Sequence, residues 1–151
     1  MKLRLAVVWL AAALAASTMP GCGGGDSAGG VAAPTGGGRQ IVAQQNWTLE
    51  AADAVYADVT ITGSSTAKGT LDAIVQWTFA TNDVDIYVTA IACTGEMFAN
   101  QRCSYAAKAD SPTTKPERVS FSVSGGDSYR FWVVNFGPTN ESGTLEVGLT
   151  R

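Results

Sequence analysis

The chain has 151 residues, a formal net charge of -3 and only 15% charged residues, which leaves room for one domain plus processing segments. It contains no histidine, so the usual general base, the commonest metal ligand and the physiological pH switch are missing. An acidic chain without a basic run excludes nucleic acid as a partner, because that binding needs clustered lysine and arginine.

Lys2 and Arg4 form a positive n-region, and Leu5 to Ala16 is an unbroken apolar run. The run has signal-peptide length and falls short of the roughly 20 residues a bilayer-spanning helix needs. Small residues follow and end at Met19-Pro20-Gly21-Cys22, which resembles a bacterial lipobox. Gly21 fits that pattern, whereas Met19 and Pro20 depart from its usual choices. The expectation is a signal peptide over 1–21 and an acylated Cys22; the alternative is a plain secretory signal that leaves a free thiol. Several acyl chains on one residue give stable anchoring, where one alone is marginal. By resemblance to lipoprotein sorting in enteric bacteria, Gly23 in place of Asp implies the outer membrane of the cell envelope. Loss of the leader removes Lys2 and Arg4 and makes the mature chain more acidic. Residues 22–39 then read as a lipidated cysteine on a glycine-rich tether, too poor in apolar surface to offset its conformational entropy.

The folded domain is expected over 40–151. Trp47 to Glu50 reads as a first short strand. Ala54 to Thr62 follows, with Val55, Ala57, Val59 and Ile61 on one face. The stretch Gly69 to Cys93 reads as a hairpin. Its first strand places Leu71, Ala73, Val75, Trp77 and Phe79 on one face, Thr81-Asn82-Asp83 forms the turn, and the second strand places Val84, Ile86, Val88 and Ala90 inward. Such period-two alternation marks half-buried strands. Cys93 and Cys103 flank a segment with little strand pattern. Three cysteines cannot all pair within one chain, but in an exported protein these two pair by default. Ala109 to Glu117 reads as an exposed loop. Arg118 to Val123, Ser128 to Phe136 and Gly143 to Thr150 are three further strands, the first two joined by the turn Ser124-Gly125-Gly126-Asp127. No window shows sustained helical periodicity. The expected fold is all-β: an antiparallel, jelly-roll-like β-sandwich of about six to eight short strands.

The run Asp83-Val84-Asp85-Ile86-Tyr87-Val88 resembles the Asp-Leu-Asp-Leu-Tyr-Val signature of the bacterial pre-peptidase C-terminal domain family. The later run Val119 to Tyr129 is similar to that family's strand, glycine turn and tyrosine-bearing strand. The resemblance covers roughly Ala54 to Leu149 and implies a β-sandwich of the kind appended to secreted peptidases. Some of those domains bind matrix or polysaccharide, and some collagen-binding relatives hold calcium. This chain departs from the pattern in having no accompanying peptidase domain, an inserted cysteine loop, and Leu145 where the family often has tyrosine.

Two groups of residues are candidate sites. Asp83 and Asp85 leave one face of a strand about 6.5–7 Å apart. That overlaps the carboxylate separation of inverting glycosidases, but the two sit side by side and do not flank a cleft. A calcium site formed by Asn82, Asp83 and Asp85 is the second reading, and Asx turns with solvated carboxylates are the third. Tyr87, Trp132 and Phe136 are a candidate ligand surface, an aromatic stripe suited to sugar stacking or protein docking. Its alternative is a strand covered on both faces, by the cysteine loop or the N-terminal strand. The expectation is a non-catalytic envelope lipoprotein that requires no cofactor. It reaches the membrane through its lipid and binds a glycan or an envelope or extracellular protein. An accessory factor for a co-exported peptidase is the alternative, and a carboxylate-based glycan hydrolase the remote one.

Overall fold

The structure is a computed structural model that describes residues 38–151. The signal peptide, Cys22 and nearly all of the tether lie outside the described residues. Eight strands run in chain order: β1 (Gln40–Leu49), β2 (Ala54–Thr60), β3 (Lys68–Trp77), β4 (Val84–Ala90), β5 (Tyr105–Ala109), β6 (Glu117–Ser124), β7 (Ser128–Asn135) and β8 (Glu141–Thr150). A one-turn helix, α1 (Gly95–Ala99), lies between β4 and β5. One sheet has the order β1-β8-β3-β6 and the other β2-β7-β4-β5, with every pairing antiparallel. This is the jelly-roll order. Only the β4–β5 connection stays within one sheet.

The alternation seen in the sequence drives the assembly. Leu71, Ala73, Val75, Val84, Ile86, Val88, Phe131, Val133 and Val147 are completely buried in the core between the two sheets. Each large apolar side chain removed from water there contributes roughly 1.5–3 kcal/mol. Trp47 closes the core beside Gly143. A Cβ on Gly143 would strike the Gln76 carbonyl and come within 2.6 Å of the Trp47 ring, so only glycine allows this approach.

The structure corrects several local expectations. β1 begins at Gln40, well before Trp47. It is an edge strand paired with β8, so its solvated positions carry Gln44 and Asn46 and hide the pattern. β5 occupies Tyr105–Ala109, where no strand was expected, because its inward positions are only alanines. Phe79 lies beyond the end of β3 and is 56% exposed. Ala90 is likewise exposed at the end of β4.

The strand directions sort the loops. Those joining β1 to β2, β3 to β4, β5 to β6 and β7 to β8 cluster at one end. Gln40 and Thr150 lie at the opposite end. Arg39, just before β1, is tied to the domain by ion pairs to Asp72 at 2.8 Å and Glu146 at 2.7 Å.

Candidate functional site

The expected aromatic stripe is placed differently by the structure. Trp132 is completely buried on the outer face of the β2-β7-β4-β5 sheet. The disulfide between Cys93 and Cys103 folds α1 back over this face. Thr94 caps α1 by accepting a hydrogen bond from the Met97 N–H at 3.2 Å. Phe98 then stacks on Trp132, with centroids 4.2 Å apart and planes 6° from parallel. The indole N–H of Trp132 donates to Thr89 at 3.0 Å. Arg130 lies over the Tyr56 ring at 4.0 Å, donates to Asp58 at 2.6 and 2.7 Å and to the Cys93 carbonyl at 2.8 Å. Tyr87 packs edge-on to Phe98. The stripe is therefore a second small core, and Trp132 offers no surface. Phe136, which lies past the end of β7, is 54% exposed.

Of the residues considered for calcium, Asn82 and Asp85 make their side-chain hydrogen bonds to separate partners. The Asn82 amide donates to Glu141 at 3.1 Å and to the Thr139 carbonyl at 3.3 Å, while its oxygen accepts from the Thr139 hydroxyl at 3.0 Å. Asp85 is 5% exposed, and its Oδ2 accepts from the Tyr87 hydroxyl at 2.8 Å. Its Oδ1 is enclosed without a partner. Among the described residues no group of three or more acidic or cysteine side chains is arranged to hold a metal ion. Burial pushes the Asp85 carboxyl up to about 6; the Tyr87 hydroxyl opposes this, and Asp83, Asp110 and Glu117 add to it. Tyr87 is itself raised far above the usual phenol range by burial and by its bond to Asp85. Glu117 is raised by burial, against the Ser111 N–H that it accepts at 3.1 Å.

The most organised polar structure is one that sequence reasoning missed, at the loop end. Glu141 is 2% exposed. It accepts from the N–H groups of Thr78 at 3.1 Å, Phe79 at 2.9 Å and Ser142 at 2.8 Å, and from the Asn82 amide. Burial alone would raise its pKa, but these donors outweigh burial and hold it below the usual carboxylate range. Asn135 is completely buried. Its amide donates to the carbonyls of Glu50 at 3.1 Å and Thr139 at 2.8 Å, and its oxygen accepts from Gly137 N–H. The Asp83 carbonyl accepts from the N–H groups of Phe136 and Gly137. A Cβ on Gly137 would overlap the Asn82 side chain. Three loops are thus locked to one another from beneath. The signal available in the sequence was three amides or acids, Asn82, Asn135 and Glu141, each next to the end of an apolar strand.

The locked loops carry Phe79 and Phe136, the two most exposed large apolar side chains among the described residues. Seven carboxylates lie in or beside the loops at this end, of which Asp53, Asp85, Glu117 and Glu141 are buried. Glu50, Asp53, Asp83 and Asp85 belong to two of the loops or adjoin them. Asp110, Glu117 and Glu141 adjoin the other two. Three cations accompany these seven carboxylates. Lys115 lies over Trp77 and donates to the Thr78 carbonyl, Lys108 pairs with Asp110, and Arg118 follows Glu117 on β6. The remaining described residues carry five charges of each sign, so the net negative charge of these residues lies at the loop end.

The chain has the architecture that its resemblance to the pre-peptidase C-terminal family implies: a two-sheet antiparallel β-sandwich. No family model and no curated protein matches it. Solved structures similar to it include a periplasmic inhibitor of g-type lysozyme from Aeromonas hydrophila, with 11% identity, 71% of this chain and 84% of that one covered, and a TM-score of 0.48. The pre-peptidase C-terminal domain of a collagenase from Bacillus anthracis is also similar, with 13% identity, 72% and 89% coverage, and a TM-score of 0.45. So is a mitogen derived from Yersinia pseudotuberculosis, with 16% identity, 74% and 85% coverage, and a TM-score of 0.47. These likenesses concern the sandwich alone.

Proposed function

We propose that the chain is a non-catalytic lipoprotein of the bacterial cell envelope, anchored through an acylated Cys22, and that its sandwich is a binding module. The observation that carries this reading is the loop end. Loops are where a rigid scaffold usually displays its binding residues, and here a buried network centred on Glu141, Asn82 and Asn135 fixes them. Preorganised loops lower the entropy lost on association. The opposite end receives β1, so the glycine-rich tether joins the domain away from the loops. The only carboxylate pair suggested for chemistry is unsuited to it, because Asp85 is closed under Tyr87.

Two measurements test this reading. Metabolic labelling with a fatty-acid analogue is expected to mark the chain through Cys22, and Cys22→Ala is expected to abolish both the label and sedimentation with membranes. An unlabelled wild-type chain in the soluble fraction would overturn the anchor. A thermal melt against glycans, matrix proteins and peptides is expected to shift with one class, since a ligand of the native state raises the melting temperature. No shift with any of them would overturn the binding module. The reading requires no cofactor, and excess calcium is expected to leave the melt unchanged.

A further inference from the structure

We infer that two copies of the chain associate through β1, the two strands pairing antiparallel across a two-fold axis so that their β1-β8-β3-β6 sheets run on into each other. The inference goes beyond the binding-module reading and does not depend on it. The backbone of β1 carries the argument. The Thr78 N–H donates to the Ser142 carbonyl. Successive residues of a central strand bond to opposite neighbours, so Ser142, Thr144 and Glu146 face β3 while Gly143, Leu145 and Val147 face β1. Trp47, Gln45 and Ala43 stand opposite that second set and turn their N–H and carbonyl groups to β8. Gln44, Asn46 and Thr48 therefore turn theirs outward. All three residues are exposed, β1 is outermost in its sheet, and among the described residues no turn or loop backbone bonds to them. The partner that matches the spacing of such a row is the backbone of another extended strand.

The other three edges are blunted in the ways that keep edges from pairing. β2 carries Asp58, gripped by Arg130. β5 has five residues, a register shift and Lys108. On β6 the Arg118 N–H bonds to the Glu117 carboxylate and the Ser124 N–H to that of Asp127 at 2.8 Å. β1 is ten residues long and has neither proline nor charge. Its side chains select a second copy. Two uncharged strands meet without like-charge opposition, whereas nothing on β1 would hold a charged foreign strand. With the axis at Gln45, Gln44 faces Asn46 of the other copy; with the axis at Asn46, it faces Thr48. In both registers amides and hydroxyls meet groups they can bond. The same pairing sets Ile41, 52% exposed, beside the far end of the other β1. One strand thus supplies both halves of the contact, as a two-fold interface requires.

The test is sedimentation equilibrium of the purified full chain. Every protein carries Cys22→Ala, so that neither an acyl group nor a Cys22 disulfide can join two copies. This parent is expected to form a dimer. Asn46→Lys sets like charges across the axis, and Asn46→Pro removes an outward N–H while leaving the bonds to β8 in place. Asn46→Lys is expected to melt at the parent temperature, and each variant to associate at least about tenfold more weakly. Mild oxidation is expected to link two copies through Gln45→Cys or Asn46→Cys, whichever lies on the axis, and not through Ser120→Cys on β6. A parent that stays monomeric at roughly 100 μM, as it would if β1 were closed by its own tether or reserved for a foreign strand, would overturn the inference. So would a dimer that both Asn46 variants leave intact, or one that Ser120→Cys links as readily as the β1 cysteines.

Discussion

The Asp85 carboxyl gives the most direct test of the structure through pH. It is held at about 6 against an ordinary 3.8. A carboxyl raised in this way binds more protons folded than unfolded. Its contribution to stability is therefore full below the unfolded pKa and is lost as pH rises through the folded one. At about 1.4 kcal/mol per pKa unit, the whole loss is roughly 3 kcal/mol. About half of it falls between about pH 5 and pH 7.5, where the native carboxyl ionises. With roughly 4 °C per kcal/mol for a domain of this size, that half is worth about 5–6 °C. Asp85→Asn removes the ionisation and keeps an oxygen for the Tyr87 hydroxyl. Its buried amide costs about 1–3 kcal/mol at every pH, because the position of Oδ1 has no partner. Glu117 is also raised and contributes a slope of the same sign, but it is present in both proteins and largely cancels. The assay is thermal unfolding, followed by tryptophan fluorescence, from about pH 4 to pH 8. The melting temperature of the wild type is expected to fall relative to the variant by about 5 °C between pH 5 and pH 7.5. Parallel curves would refute the argument that this carboxyl is desolvated.

Three further outcomes are expected. Glu141→Gln places an amide where backbone N–H groups point, and should lower stability by about 2–4 kcal/mol in a denaturant titration; because its pKa is lowered, the wild-type advantage should shrink as pH falls through the acid range. Cys93→Ser/Cys103→Ser should cost roughly 2–3 kcal/mol through loop closure and red-shift the tryptophan emission, since Phe98 no longer shields Trp132; unchanged emission would contradict the lid role of α1. Arg130→Ala should cost about 1–2 kcal/mol, as the Asp58 pair, the Tyr56 stacking and the Cys93 carbonyl bond are lost together. A cost below about 0.5 kcal/mol in the same titration would make that cluster ornamental.

The sandwich was legible wherever both a face and its opposite carried a signal. β3, β4, β6 and β8 alternate large apolar with polar residues, β7 carries the continuous apolar run Phe131 to Val134 buried on both faces, and each is found within two residues of where the sequence puts it. β5 and most of β1 were hidden because alanine and glutamine at edge positions carry no hydrophobic contrast. The Cys93–Cys103 pairing could be read from the expectation of an exported chain, in which cysteines pair by default. What the loop covers could not be read, because Phe98 meets Trp132 across more than thirty residues of chain. The loop-end network was illegible for a related reason. Asn82, Asn135 and Glu141 look like ordinary turn residues until three separate connections are brought to the same end.

The antiparallel pairing of β1 with β8 also has a mechanical consequence. A load applied between the N-terminal end of β1 and the loop end runs along the strand axis. The bonds between β1 and β8 lie across that axis and pair residues from Gln40 to Leu49 along the length of the strand. Such a load shears them all at once and cannot open them one at a time. The β1–β8 pairing therefore resists a pull along β1 in shear.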